Sequence, residues 1–174
     1  HDHPALDGMS FVVKPAEMFG LVGPDGAGKT TVIRLMLGLL RVDAGHVRVL
    51  QLDPAHQARQ LSQRVGYLSQ RFTLYGDLTV RENIEFFGEI HQVDDISGRM
   101  AELLDFTLLG PYRDRRADQL SGGMQKKLAL ACTLIHRPQI IFLDEPTTGV
   151  DPVSRREFWS LLHNLIVQRL TVVL

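Results

Sequence analysis

One eight-residue segment, Gly23-Pro24-Asp25-Gly26-Ala27-Gly28-Lys29-Thr30, limits what this chain can be more than any other. It follows a short apolar run, Phe19-Gly20-Leu21-Val22, and precedes a helical pattern from about Gly28 to Leu40. A glycine-rich turn from strand to helix that ends in Lys and Thr fits the pattern G-x4-G-K-[ST]. Glycines let successive backbone N–H groups curl around phosphate oxygens. The helix N-terminus adds the positive end of its dipole. Lys29 is then expected on the outer phosphates, and the Thr30 hydroxyl on an accompanying Mg2+.

The rest of the chain alternates strands and helices. Strands are expected at Met9–Val13, Phe19–Val22, Val47–Leu50, Val65–Leu68, Ile140–Leu143 and Thr171–Leu174. Helical stretches are expected at Gln57–Gln63, from Thr79 to about His91, at Gly98–Leu104 and from about Gly122 to Ile135. Thr79 and Glu82 form a capping-box pattern. Asp151-Pro152 reads as an N-cap followed by proline at the first helical position. The helix behind it runs to about Gln168 with an apolar face of Phe158, Leu161, Leu162, Leu165 and Ile166. Such alternation predicts an α/β fold with a mainly parallel sheet. Thr79–Arg116 carries helices without a strand signal and reads as a helical insertion. Both ends break off at strand-like segments, so a longer native protein is expected.

Two further segments carry chemistry. Ile140-Ile141-Phe142-Leu143 predicts a buried strand, and Asp144 and Glu145 emerge at its carboxyl end, where open α/β sheets bind ligands. Asp144 is suited to Mg2+ and Glu145 to polarising a water as general base. Leu120-Ser121-Gly122-Gly123-Met124-Gln125 makes a second anion cradle, with Ser121 as N-cap. Two cradles in one chain imply that one serves the nucleotide of another subunit.

Composition narrows the classes. In 174 residues, 44% are hydrophobic and 22% charged, which excludes a disordered or disulfide-framed chain. The formal net charge of −1 argues against a duplex-DNA binder held by a basic face. Cys132 is the single cysteine, so no internal disulfide can form. No apolar run approaches the ~20 residues of a bilayer span, so a membrane role would come through a partner.

Together these segments resemble the nucleotide-binding domain of ATP-binding-cassette (ABC) proteins. GPDGAGKTT is similar to the Walker A loop, Tyr67–Gln70 to the Q-loop, LSGGMQ to the signature, IIFLDEP to Walker B, and Thr148–Asp151 to the D-loop. The segments from Leu74 to Asn83 and from Asp151 to Trp159 further resemble drug-resistance-type exporter ATPases. The resemblance implies a P-loop NTPase core with a short N-terminal β-subdomain and a helical subdomain at about 79–135. It implies ATP and Mg2+, held by Gly23, Pro24, Asp25, Gly26, Ala27, Gly28, Lys29, Thr30 and Thr31, with Thr30, Gln70 and Asp144 toward the metal. Glu145 and Gln70 would be catalytic. Ser121, Gly122 and Gly123 would touch the γ-phosphate of a second ABC ATPase domain, and Asp151 would cross that dimer interface. The implied partner is a transmembrane permease subunit, at the cytoplasmic face of the membrane, with no nucleic acid. The implied activity is ATP hydrolysis that powers export.

Three departures stand out. The family's switch histidine lies beyond Leu174, and its adenine-stacking aromatic precedes His1. Asp25 adds a negative charge where the family usually has a neutral polar residue. A soluble ABC ATPase on ribosomes or DNA is the alternative, although no heptad run lies between the phosphate loop and the signature. A small-molecule kinase would lack LSGGMQ. Elsewhere the expectations are plain. Cys132 and Phe158 belong to the core, and Trp159 packs a helix. His163 is solvated or packs a helix, and His1 and His3 form a chain end. Arg113, Arg115 and Arg116 form a solvated loop with Asp114 and Asp118. Lys126 and Lys127 lie on the solvent face of the signature helix.

Overall fold

The computed structural model describes residues 5–70 and 74–174; His1 and His3 lie outside them. Four strands form one parallel sheet: β1 (Met18–Phe19), β2 (Val65–Leu68), β3 (Ile140–Leu143) and β4 (Thr171–Val173), in the order β1-β4-β3-β2. Val65 pairs with Ile140 and Leu68 with Leu143, while Ile141 pairs with Val172. Leu21 N–H also donates to Leu174 O, and Leu174 N–H to Phe19 O, which extends the β1–β4 contact past the strand ends.

A parallel sheet must be covered on both faces, and β3 shows how. Ile141 and Leu143 point into one core, with Leu68, Val172, Leu128, Phe158 and Leu162. Phe142 points into the other, with Val65, Val173, Leu61 and the helix residues Val32, Ile33 and Met36. The period-2 alternation of the strand thus divides one apolar run between two cores. The second core is closed by α1 (Lys29–Met36) and α2 (Ala58–Ser62). The first is closed by α3 (Val80–Ile90), α4 (Ile96–Thr107), α5 (Gly122–Leu134) and α6 (Pro152–Val167).

Helices α3, α4 and α5 pack on one another. Helix α3 starts on the expected capping box, with Thr79 Oγ1 accepting from Glu82 N–H at 3.1 Å and Glu82 Oε2 accepting from Thr79 N–H at 2.8 Å. The polar loop 110–119 contains two short 3₁₀ turns. Its side chains are mostly exposed and pair locally, Arg116 with Asp118 at 2.7 Å. Its backbone does more: Arg115 O and Arg113 O accept from Val80 and Arg81 N–H, the otherwise orphaned donors at the start of α3.

Several expected boundaries move. Met9–Val13 and Val47–Leu50 form no strands, and Val49 makes only an isolated bridge to Leu52. The short N-terminal β-subdomain is therefore not assembled as sheet among the described residues. Phe11, Val13, Val47 and Leu50 instead pack half-buried against the second core. The expected helix Gly28–Leu40 ends at Met36, because Gly38 turns the chain left-handed at φ 72°. The expected Gly98–Leu104 helix is longer at both ends, capped by Asp95, whose carboxylate accepts from Gly98 N–H. Cys132 and Phe158 are buried, His163 is exposed, and Trp159 is 37% exposed on α6.

Candidate functional site

The site gathers where β1, β2 and β3 end. The loop 23–28 carries Gly28 into α1 at φ 90°. A Cβ on Gly28 would lie 2.7 Å from Leu6 Cδ2 and 2.9 Å from Ala5 O, so both dihedral and space demand glycine. Lys29 Nζ donates to Gly23 O at 2.8 Å and Pro24 O at 2.9 Å. The ammonium is held inside the curl of its own loop, beside the backbone N–H groups. Pro24, Asp25, Gly26 and Ala27 are exposed, and Thr31 is half-buried. The Asp25 side chain forms no hydrogen bond or ion pair among the described residues.

Thr30, the second residue of α1, donates through Oγ1 to Asp144 at 2.9 and 3.0 Å. Asp144 follows β3 directly. It is 6% exposed, and its N–H donates to Leu68 O. Tyr67 lies near the same carboxylate. Burial raises its phenol above the ordinary value, and the Asp144 charge adds to that. Glu145, at φ 50°, turns the chain left-handed. Its Oε2 accepts from Gln70 Nε2 at 3.0 Å and from Thr148 Oγ1 at 3.1 Å. Phosphate loop, Thr30, Asp144, Glu145 and Gln70 therefore meet at the carboxyl edge of the sheet.

The signature segment stands apart. Ser121 caps α5, its hydroxyl accepting from Met124 N–H at 3.3 Å. Ser121 and Gly122 are exposed, and a Cβ on Gly122 would meet nothing within 4 Å. Gly123 is buried against α6: a Cβ there would lie 2.4 Å from Ser154 Cβ. Asp151 caps α6, accepting from Val153 and Ser154 N–H at 3.1 and 2.9 Å. Hydrogen bonds from Ser154 and Val153 hold its carboxyl below the usual range.

The expectation for Lys126 and Lys127 is corrected. Lys126 Nζ donates to Gln70 O at 3.2 Å. Lys127 Nζ lies 2.6 Å from Glu157 Oε2 with its side chain only 12% exposed. The first ties the signature helix to the Gln70 segment and the second ties it to α6. Sequence reasoning also missed Asn83, which is fully buried. Its Nδ2 donates to Tyr75, Leu78 and Thr79 carbonyls, and its Oδ1 accepts from Tyr75 N–H at 3.0 Å. An asparagine one position past the capping-box Glu82, on the apolar face of a helix, was the available signal.

Thr30 and Asp144 offer hard oxygen donors. Among the described residues no group of three His, Cys, Asp or Glu could hold a metal. A sparse oxygen set suits Mg2+, which keeps waters and takes substrate phosphates as ligands.

Residues 6–148 match the family described as ABC transporter. The chain is 46% identical over 166 residues, 94% of its length, to the probable multidrug ABC transporter ATP-binding protein YbhF of Escherichia coli K12, of which it covers 29%. It is 41% identical over 175 residues, 99% of its length, to the Nod factor export ATP-binding protein I of Neorhizobium galegae, of which it covers 50%. The chain thus spans half or less of these relatives. Among solved structures, cbiO1 from Clostridium perfringens, described as part of the ABC transporter complex cbiONQ, matches with a TM-score of 0.88 at 26% identity, over 97% of this chain and 70% of that one. With a family match over most of its length, the chain belongs to the ABC transporter family.

Proposed function

We propose that this chain is the ATP-binding and hydrolysing part of an exporter, acting as one half of a pair of ABC ATPase domains. The observation that carries the reading is the pair of bonds Thr30–Asp144 and Gln70–Glu145 beside the glycine loop. The loop N–H groups of residues 23–28 and the Lys29 ammonium receive the triphosphate. Lys29 exchanges its two carbonyl partners for phosphate oxygens, which are stronger, charge-assisted acceptors. Thr30 and Asp144 would hold Mg2+, which would supply neutralisation of charge on the phosphates. Glu145 accepts the proton of the attacking water, and Gln70 and Thr148 orient its carboxylate.

The exposed Ser121 and Gly122 and the neighbouring Gly123 serve the nucleotide of the second domain, with Asp151 at the shared interface. Residues 79–135 form the helical subdomain that faces a transmembrane permease subunit. Among the described residues no helix is long and apolar enough to cross a membrane. The permease partnership is what makes this reading place the chain peripherally, on the cytoplasmic face.

Glu145→Gln in the full-length protein tests the assignment. It should keep ATP affinity, favour the closed dimer and lower turnover at least ~100-fold, the lower range for loss of a general base. Hydrolysis at the normal rate would sink the role of Glu145. Capture of the native protein from detergent extracts should bring an integral membrane chain at equal stoichiometry; recovery with ribosomes or DNA would refute the exporter.

A further inference from the structure

A cavity of about 740 Å³ opens at the amino edge of the sheet, where β3 begins at Ile140 and β4 at Thr171. The phosphate loop lies past the opposite strand ends, one four-residue strand or ~13 Å away. Five cationic side chains line the cavity, Lys14, Arg64, Arg99, Arg137 and Arg169, and no carboxylate does. Arg64, Arg137 and Arg169 each lie two or three residues past the carboxyl end of a helix, α2, α5 and α6.

Cations at helix ends ordinarily offset the dipole, roughly half a negative charge per end. That accounts for part of the charge only. Arg99 and Arg137 share one carboxylate, Glu102, at 2.7 and 2.9 Å. Glu17 stands at the rim, accepting from Lys14 N–H at 2.6 Å. Even with both carboxylates and three helix ends counted, an excess of one to two positive charges remains. Among the described residues the Lys14 ammonium and the Arg64 and Arg169 guanidinium groups have no carboxylate within 4.0 Å, and Arg99 Nε is buried without any hydrogen-bond partner. Leu134, Leu165 and Leu170 add apolar lining among the cations, and Arg99 Nη2 donates to Leu134 O at 2.9 Å. The volume falls within the range of small-molecule sites.

We propose that this cavity binds a multiply charged phosphate group carried on a small or partly apolar body, separately from the nucleotide site. Guanidinium forks match phosphate oxygens two at a time, which is why arginines rather than lysines supply most of the charge. A soluble phosphate ester and a lipid phosphate headgroup share this chemistry.

The test uses the full-length protein with its nucleotide site saturated by a non-hydrolysable ATP analogue. Inorganic pyrophosphate is titrated calorimetrically. Saturable binding is expected, weakened about tenfold or more in Arg64→Gln/Arg169→Gln. Those two side chains make no hydrogen bond or ion pair among the described residues, so the variant should fold and melt cooperatively, within a few degrees of the native protein for the lost helix-end charges. The single Arg64→Gln, and Arg64→Lys/Arg169→Lys, which keeps the charge, should fall between it and the native protein. Phosphatidylcholine vesicles with and without phosphatidic acid separate the sources. Capture that needs phosphatidic acid and is displaced by pyrophosphate identifies a lipid headgroup. Pyrophosphate binding without vesicle capture identifies a soluble ester. No pyrophosphate binding beyond the nucleotide site, or binding undiminished by the glutamine pair, overturns the proposal.

Discussion

Gly123 has two reasons to be glycine, and they can be separated. In the family reading it approaches a phosphate of the partner's nucleotide. In the structure it also lies against α6, where an added Cβ would come 2.3 Å from Ser154 Oγ and 2.4 Å from Ser154 Cβ. Ser154 Oγ could turn away about χ1, but Cβ is fixed to the α6 backbone, so the relief must come from a shift of α5 against α6. Overpacking of this kind costs about 1–3 kcal/mol, less a few tenths that Ala returns through helix propensity. Gly123→Ala should therefore lower stability by about 1–2 kcal/mol. Ser154→Gly removes the obstructing Cβ and keeps the backbone N–H that Asp151 accepts from, but loses the Ser154 side-chain bond to Asp151, at a cost of about 1–2 kcal/mol together with the helix glycine. The double variant should then be no less stable than Ser154→Gly alone, a coupling of at least ~1 kcal/mol. Urea unfolding, with m unchanged across the four proteins, reads the cycle. Additive effects would refute the packing argument. Turnover by the double variant in the full-length protein separates the second reason: loss of activity despite restored stability leaves the phosphate contact as its cause.

Other outcomes follow from the same structure. Asn83→Leu should destabilise by about 2–4 kcal/mol in urea unfolding, since it leaves Tyr75 N–H and carbonyls without partners in a fully buried position. Ser121→Arg should leave nucleotide binding by the isolated chain within about twofold and abolish turnover of the assembled protein, as expected of an exposed residue acting on another subunit's substrate. His136 is stacked on His91 at 3.9 Å, with Nε2 on Val65 O at 3.0 Å, and burial, with His91 adding, pushes its pKa down to about 4. The unfolded chain binds protons near the ordinary value of about 6.5 that the folded chain refuses until about 4. Stability should thus be full above pH 6.5 and fall as the pH drops toward 4, by on the order of 2 kcal/mol after solvent screening. His136→Gln should flatten that slope in thermal melts, and an unchanged slope would refute it.

What the sequence made legible is what depends on local pattern. The phosphate loop, the capping box at Thr79 and Glu82, the Asp151-Pro152 helix start and the strand ending in Asp144-Glu145 each fix their own geometry within a few residues. Features that depend on a distant partner were not legible. Val47–Leu50 alternates like a strand, yet a strand exists only where another offers a ladder, and here the side chains found a core without one. Lys126 and Lys127 looked solvated because nothing nearby in sequence pairs with them. Their partners, Gln70 O and Glu157, are 56 and 30 positions away. The stop of α1 at Met36 was readable from Gly38, but the apolar Leu37, Leu39 and Leu40 masked it.

Those distant bonds bear on how one chain could report its nucleotide. Lys126 holds the Gln70 carbonyl, while the Gln70 side chain holds Glu145, which Thr148 also reaches from the loop leading to Asp151. Lys127 holds Glu157, one turn of α6 beyond the Ser154 that confines Gly123. The signature helix is thereby anchored both to the Gln70 segment, whose side chain reaches Glu145, and to α6. At its start Ser121 binds only the helix it caps and Gly122 faces open space, while Gly123 lies buried against α6. Under the proposed function, a helix tied to the Gln70 segment but presenting Ser121 and Gly122 outward would couple two nucleotide sites across the interface between domains. Displacement of Gln70 by substrate at one site would then be felt at the signature serving the other, through a lysine rather than through a long-range deformation of the sheet.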